Sequence, residues 1–214
     1  QDHPRRQPPR PETLDAIDIA GLDITADALL TQRDLATYLV ARGAHYHFTV
    51  KGNQPTLHQQ VCDLISDAQL ANDGFKHVDK SHGRTVMQLS WVAASGKEID
   101  PELWPGCKTV GCVVSQRVVG DKVAELEERY YISSRKLTAE ELAKTVRAHW
   151  AIENRLHWML DVCFGEDDCM IRKDNAPKNL SLLKKIVLNL IRADKTDTAK
   201  TSLRLKRKRA AWDD

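Results

Sequence analysis

Glu153 occupies an unusual position for a carboxylate. It lies in Val146-Arg147-Ala148-His149-Trp150-Ala151-Ile152-Glu153-Asn154-Arg155-Leu156-His157-Trp158, a stretch that reads as one long helix. At about 100° per residue, Leu142, Val146, Leu156 and Leu160 fall on one apolar stripe with Glu153 in its middle. Lys144, Arg147, Ala151, Asn154 and Arg155 take the opposite face. A carboxylate on the core-facing side is destabilising unless it is neutralised, paired or bound to a metal. His149 and His157 stand four residues to either side, so a buried pair with one of them or with an arginine competes with a metal-ligating role. A second acid, Asp27, ends the β-leaning run Ile17–Ala26, just before a loop and a helix. In open α/β sheets, sites form outside the carboxyl ends of strands, although an Asp there is also a common cap or turn residue. A strand-end Asp and a helix Glu can converge on divalent metal. Mg²⁺ takes one or two carboxylates plus substrate phosphates, and two such ions can drive phosphodiester cleavage. A rival arrangement uses His149, Glu153 and His157 as transition-metal ligands of a hydrolase. Ligands at i, i+4 and i+8 span about 12 Å, so one ion could hold two of them plus an outside residue but not all three.

The elements that must position these acids follow from the pattern around them. Residues 1–12, with Pro4, Pro8, Pro9 and Pro11 among Gln and Arg, read as a disordered or non-native leader. A helix is expected from about Thr31 to Arg42, with Gly43 as its stop. His45–Val50 alternates like a strand, Gly52-Asn53-Gln54-Pro55 makes a turn, and Thr56 could cap a short helix holding Leu57, Val61, Leu64 and Ile65. Strand–helix–strand–helix order implies an α/β layering with parallel neighbours. The middle, about 80–135, reads as a β-rich insertion or a continuation of the sheet, with strands at Arg84–Ala94, Thr109–Val119 and Leu126–Ser133. Thr138 and Glu141 form a capping box that starts the Glu153 helix. A last helix over Asn179–Arg192 presents Leu182, Leu183, Ile186 and Leu190 as its apolar face. Trp150 and Trp158 read as packing residues, and Glu166, Asp167 and Asp168 as a solvated loop.

Composition narrows the class. The chain has 214 residues, 42% of them hydrophobic, which supports a real core. A formal charge of +2 does not announce a nucleic-acid binder, but Arg204–Arg209 is a basic cluster in a segment, 196–214, that reads as a flexible tail. Five cysteines without C-x-x-C spacing read as reduced thiols of a cytoplasmic protein. No apolar run reaches the ~20 residues that span a membrane.

Several blocks in order carry a resemblance. They are Asp27-Ala28-Leu29-Leu30-Thr31-Gln32, Tyr46-His47-Phe48-Thr49-Val50-Lys51-Gly52-Asn53-Gln54, His82-Gly83-Arg84, Glu128–Ser134, Arg147–Val162, Glu166-Asp167 and Asn175–Leu180. Together they resemble the DDE transposases of bacterial insertion sequences, in the H-repeat-associated branch, over roughly Glu12 to Arg192. The resemblance implies an RNase H-like fold whose three carboxylates bind two divalent ions, Mg²⁺ or Mn²⁺, and cut and join DNA at insertion-sequence ends. By motif match Asp27 is the second acid and Glu153 the third, both metal ligands. The first acid belongs to an upstream Asp-Gly-Lys block that does not precede Asp27, so 13–195 is expected to be a partial, C-terminal RNase H-like domain lacking its first strands and inactive alone. The resemblance implies DNA as partner, through Lys51, Asn53, Arg147, His149 and Arg155, and a homo-oligomer, since transposases act as multimers. Related branches carry a Tyr, an Arg and a Lys around the Glu. Here His149 and Leu160 stand four before and seven after it, and Arg147 and Arg155 lie on the other helix face. A non-catalytic DNA-binding remnant is the other alternative to the transposase reading.

Overall fold

The structure is a computed structural model that describes residues 14–81, 84–120, 122–196 and 201–212. The expected leader over 1–12 lies outside the described residues, as do the side chains of Ser81, Glu153 and Asn154. The chain divides into two compact units, one ending at Arg147 and the other beginning at Ala148, where the sequence reads as a single domain over 13–195.

The first unit is a mixed α/β layer. Its elements run β1 (Asp23–Ala26), a 3-10 turn (Ala28–Leu30), α1 (Arg33–Ala41), β2 (His45–Val50), α2 (Pro55–Ala71), β3 (Phe75–Ser81), β4 (Arg84–Ala94), β5 (Thr109–Val119), β6 (Lys122–Val123), β7 (Glu127–Ser133) and the first part of α3 (Ala139–Ile152), a helix that runs on past Arg147. Among the described residues seven strands form one sheet in the order β1-β2-β7-β5-β4-β3, with β6 against β5. β1 and β2 are parallel, with Ala26 opposite Phe48. The remaining pairings are antiparallel. The parallel pair meets the α/β expectation. The β-rich stretch between the two acids is a continuation of the same sheet, not a separate body.

Residue chemistry explains the layering. β2 is not half-buried as its alternation suggests: Tyr46, His47, Phe48, Thr49 and Val50 are all buried. It is an inner strand covered on both faces, and its Tyr, Phe, Thr and Val suit that environment. Ala36 and Leu39 of α1 and Leu57, Val61 and Ile65 of α2 join it in one core. Gly43, at φ +71°, ends the first helix in the left-handed conformation a glycine adopts without strain. The second starts at Pro55, which fits the first helical position because its missing N–H has no partner to lose there. Thr56 is therefore inside the helix and not its cap, and the helix is 17 residues long, not short.

Leu142 and Val146 of α3 pack with Val113, Tyr131 and Leu137 in a second core cluster. The capping box is present: Thr138 Oγ1 accepts from Glu141 N at 3.2 Å, and Thr138 N donates to Glu141 Oε2 at 2.8 Å. Gly111 on β5 lets α3 come close, since a Cβ there would collide with Leu142 Cδ2 and lie 3.3 Å from the Trp91 carbonyl.

The second unit holds α4 (Trp158–Phe164), α5 (Ala176–Ala193) and α6 (Leu203–Ala210). The expected single helix through Glu153 is interrupted: a π-helical segment, Glu153–His157, separates α3 from α4. A π turn closes on the fifth residue instead of the fourth, which shifts the phase of every side chain beyond it. Leu160, beyond the π turn, is buried, but Trp150 and Trp158 are 39% and 57% exposed, so neither is a core residue. α5 also departs from expectation. Leu182, Leu183, Ile186 and Leu190 are exposed, and Leu188 is the buried residue. The helix is apolar on two sides, and periodicity alone does not say which side packs. The basic run is helical over Leu203–Ala210 where composition reads as a flexible tail. All five cysteines are unpaired. No helix among the described residues is long and apolar enough to cross a membrane.

Candidate functional site

Asp27 closes β1. Its own backbone is extended (φ −74°, ψ 174°), and its Oδ1 accepts from Leu30 N at 3.2 Å, capping the 3-10 turn. The cap reading of this residue is therefore correct as local structure. It occupies one carboxylate oxygen, while the residue as a whole is exposed. The neighbouring Thr31 is fully buried. Its Oγ1 lies 2.7 Å from the Thr49 carbonyl of β2 and 3.0 Å from the Asp27 carbonyl, and donates its single proton to the nearer. Asn53 Nδ2 donates to the Ala28 carbonyl at 2.6 Å, and Gln54 Nε2 to the Thr31 carbonyl at 3.1 Å. These bonds latch the loop after β2 onto the turn after β1.

The consequence is positional. β1 and β2 run parallel, so both loops leave the sheet at the same end, and Asp27, Lys51 and Asn53 are brought together there. Lys51 is exposed. The amide nitrogen of Asn53 is already committed to the latch, so this residue positions the loop whatever else it contacts. Sequence reasoning found these residues but not the latch, because Thr31 pairs with Thr49 across 18 residues and with Gln54 across 23.

The opposite end of β1 carries a constellation the sequence did not reveal. Asp23 Oδ1 lies 3.0 Å from His47 Nε2, and its Oδ2 lies 2.7 Å from an Arg135 guanidinium nitrogen. His47 is 4% exposed. Burial pushes its pKa below the ordinary histidine value, and the hydrogen bond and charge of Asp23 offset only part of that. Burial also acts to raise Asp23, but the His47 hydrogen bond and the His47 and Arg135 charges outweigh it and hold the carboxyl below its usual range. With Asp23 ionised, the Nε2–H tautomer of His47 donates to it, and Nδ1 is left buried without a partner. This group clasps β1, β2 and the segment after β7. Asp23 opens β1, at the end away from Asp27, and His47 pairs with Thr25 in the middle of the strand pair.

In the sequence on either side of Glu153, His149 is half-buried and His157 and Arg155 are exposed. Arg147 is half-buried, with one guanidinium nitrogen sealed from solvent and without a hydrogen-bond partner. The backbone carbonyl of Arg155 accepts from the Arg192 guanidinium. Glu166 is tied to Ser181 Oγ at 2.6 Å, so the acidic loop is partly structural and not simply solvated. The oxygen chemistry of Asp27 suits a hard cation such as Mg²⁺. One carboxylate does not make a site, and no group of three or more His, Cys, Asp or Glu placed to hold a metal occurs among the described residues.

The family described as "Transposase DDE domain" matches residues 5–190. The chain is 39% identical over 215 residues to YhhI of Escherichia coli (strain K12), an H repeat-associated protein whose name describes it as a candidate transposase; the match covers 95% of this chain and 55% of the relative. It is similar to the same degree and extent to YbfL of that strain. YncI of Escherichia coli O157:H7, also named as a candidate transposase, is 38% identical over 94% of this chain and 53% of its own length. The chain thus spans about half the length of these curated relatives. No solved structure gives a significant match.

Proposed function

The chain belongs to the transposase DDE domain family, and from that premise we propose that its 214 residues carry the second and third carboxylates of a two-metal site that cuts and joins DNA. Asp27 and Glu153 are the two acids, and the fold around Asp27 is part of an RNase H-like core. The single observation that carries this reading is the placement of Asp27 at the carboxyl end of a parallel strand pair, next to a latched loop bearing Lys51. That is where an open α/β sheet presents its site.

Each residue has a distinct task in this reading. Asp27 and Glu153 hold Mg²⁺ or Mn²⁺, which when bound would activate the attacking oxygen and stabilise the leaving one. Thr31, Asn53 and Gln54 fix the turn that aims Asp27. Lys51 contacts a phosphate of the DNA, and Asn53, Arg147, His149 and Arg155 are further candidates for backbone contacts, which position the duplex without reading its sequence. The active assembly is a homo-oligomer of a longer chain.

Two carboxylates of three do not complete the site, and removing one ligand leaves the remaining acids repelling one another or protonated. These 214 residues alone are therefore expected to bind DNA without cutting it. The test is a nicking and strand-transfer assay with the purified chain, duplex DNA and Mg²⁺ or Mn²⁺. Turnover that disappears in Glu153→Gln would overturn the inactivity. DNA binding that depends on salt but ignores both chelator and Glu153→Gln would favour a remnant that uses only its basic residues.

A further inference from the structure

The basic run Arg204–Arg209 has no task at the metal-binding acids, and its geometry is specific. α6 contains Arg204, Lys206, Arg207, Lys208 and Arg209 and no acid. Two of the five cations face inward. Lys206 Nζ pairs with Asp194 at 3.5 Å, and the Arg207 guanidinium lies over the Phe164 ring at 5.4 Å. Ser202 caps the helix, accepting from Leu205 N at 3.3 Å. With 206 and 207 held inward, the helix turns Arg204 and Lys208 outward, where both are exposed, with Leu205 between them and Trp212 just beyond.

That outward face works against the helix that carries it. Arg204 sits in the first turn, where the helix dipole disfavours a cation. Arg204 and Lys208 are four residues apart, about 6 Å along the axis, and like charges at that spacing destabilise an isolated helix. Lys208 lies in the last turn, where the dipole favours a cation, so the cost falls on Arg204 and on the like-charge pair it makes with Lys208. A ligand that supplies negative charge along this face would relieve both costs, and two exposed cations one helical turn apart are complementary to it. A membrane surface would need a broad apolar stripe beside the cations, and Leu205 and Trp212 do not make one. A phosphate backbone needs spaced cations on a rigid element, with an aromatic side chain as a welcome addition.

We propose that the outward face of α6 is a sequence-independent contact to the phosphate backbone of duplex DNA, made by Arg204 and Lys208 and separate from the metal-binding acids. It rests on the DNA reading proposed for the chain and adds an element to it. The bond is electrostatic, so it needs no metal and weakens with salt.

The test measures binding of the full 214-residue chain to a fluorescein-labelled duplex of arbitrary sequence by anisotropy, in EDTA, from about 50 to about 200 mM KCl. Each phosphate contact contributes about 0.9 to the slope of log K against log salt. The double variant Arg204→Ala/Lys208→Ala is expected to flatten the slope by about 1.8. Over this fourfold salt range that makes binding about 12-fold less salt-sensitive. A charge-matched variant on exposed residues of β3, Lys76→Ala/Lys80→Ala, is expected to keep the wild-type slope. Alanine favours the helix, so the circular-dichroism spectrum should not lose helical signal in the α6 variant. An unchanged slope in Arg204→Ala/Lys208→Ala, with steep wild-type salt dependence, overturns the α6 contact and leaves the DNA reading standing. No wild-type binding at the lowest salt removes the DNA reading and this contact with it. Sedimentation with phosphatidylserine vesicles that the α6 variant abolishes, while its DNA binding is unchanged, assigns the face to membranes instead.

Discussion

Replacing Gly111 by alanine places a methyl group where Leu142 of α3 already sits. The new Cβ would collide with Leu142 Cδ2 and stand 3.3 Å from the Trp91 carbonyl, a backbone atom of the neighbouring strand that cannot swing aside. Leu142 is 2% exposed, so its side chain has little room to re-rotamerise. Overpacking of this kind costs about 1–3 kcal/mol. Taking about 2 kcal/mol, and a urea m-value of about 2 kcal/mol/M, the midpoint falls by about 1 M. Leu142→Ala alone should cost about 2–5 kcal/mol through the cavity it leaves. The two changes together should cost less than their sum, because the smaller side chain vacates the space the added methyl needs. Equilibrium urea unfolding of wild type, both single variants and the double variant completes the cycle. A Gly111→Ala midpoint equal to wild type, or strictly additive effects, would refute the packing of α3 on β5 through this glycine. The result matters beyond stability because α3 is the helix that leads into Glu153.

Other consequences can be checked separately. Because burial holds His47 below 6.5, the unfolded chain takes up a proton that the folded chain rejects, so stability should fall as pH drops through 6.5 and below. Asp23, held below 3.8, adds a second loss beneath that value. Urea midpoints at about pH 7.5 and about pH 5.5 should differ in wild type and differ less in His47→Gln. Thr31→Val removes a buried hydroxyl that bonds the Thr49 carbonyl, and should cost about 1–3 kcal/mol by thermal or urea unfolding. Asn53→Ala, at an exposed position, should change stability little but raise amide hydrogen exchange in residues 51–54 and 28–31, since the 2.6 Å bond to Ala28 joins those loops.

Much of the first unit could be read from the residues. The strands at His45–Val50, Arg84–Ala94 and Thr109–Val119 and the Thr138–Glu141 capping box lie where β-branched runs and short-range cap chemistry put them, since both signals are local. The features that escaped depend on distant partners. His47 looks like an alternating strand residue until it meets Asp23, 24 residues before it, and Asp23 in turn meets Arg135, 112 residues further on than itself. The helix through Glu153 obeys a 3.6-residue wheel in composition, yet Glu153–His157 winds as a π segment, and Trp150 and Trp158 on either side of it are exposed. On α5 the wheel offers two apolar faces. Packing buries Leu188 and leaves Leu182, Ile186 and Leu190 outside, a choice no single-helix pattern contains.

The function proposed for the chain turns on Asp27 and Glu153 being metal-binding carboxylates. The most direct test is Mn²⁺ binding followed by paramagnetic broadening of backbone amide signals in the full chain, for wild type, Asp27→Asn and Glu153→Gln. Weak binding should broaden the Asp27–Leu30 signals in wild type and be diminished in both variants. Broadening that survives unchanged in both, or none near Asp27 at any Mn²⁺ concentration that broadens other signals, would contradict the metal-binding role.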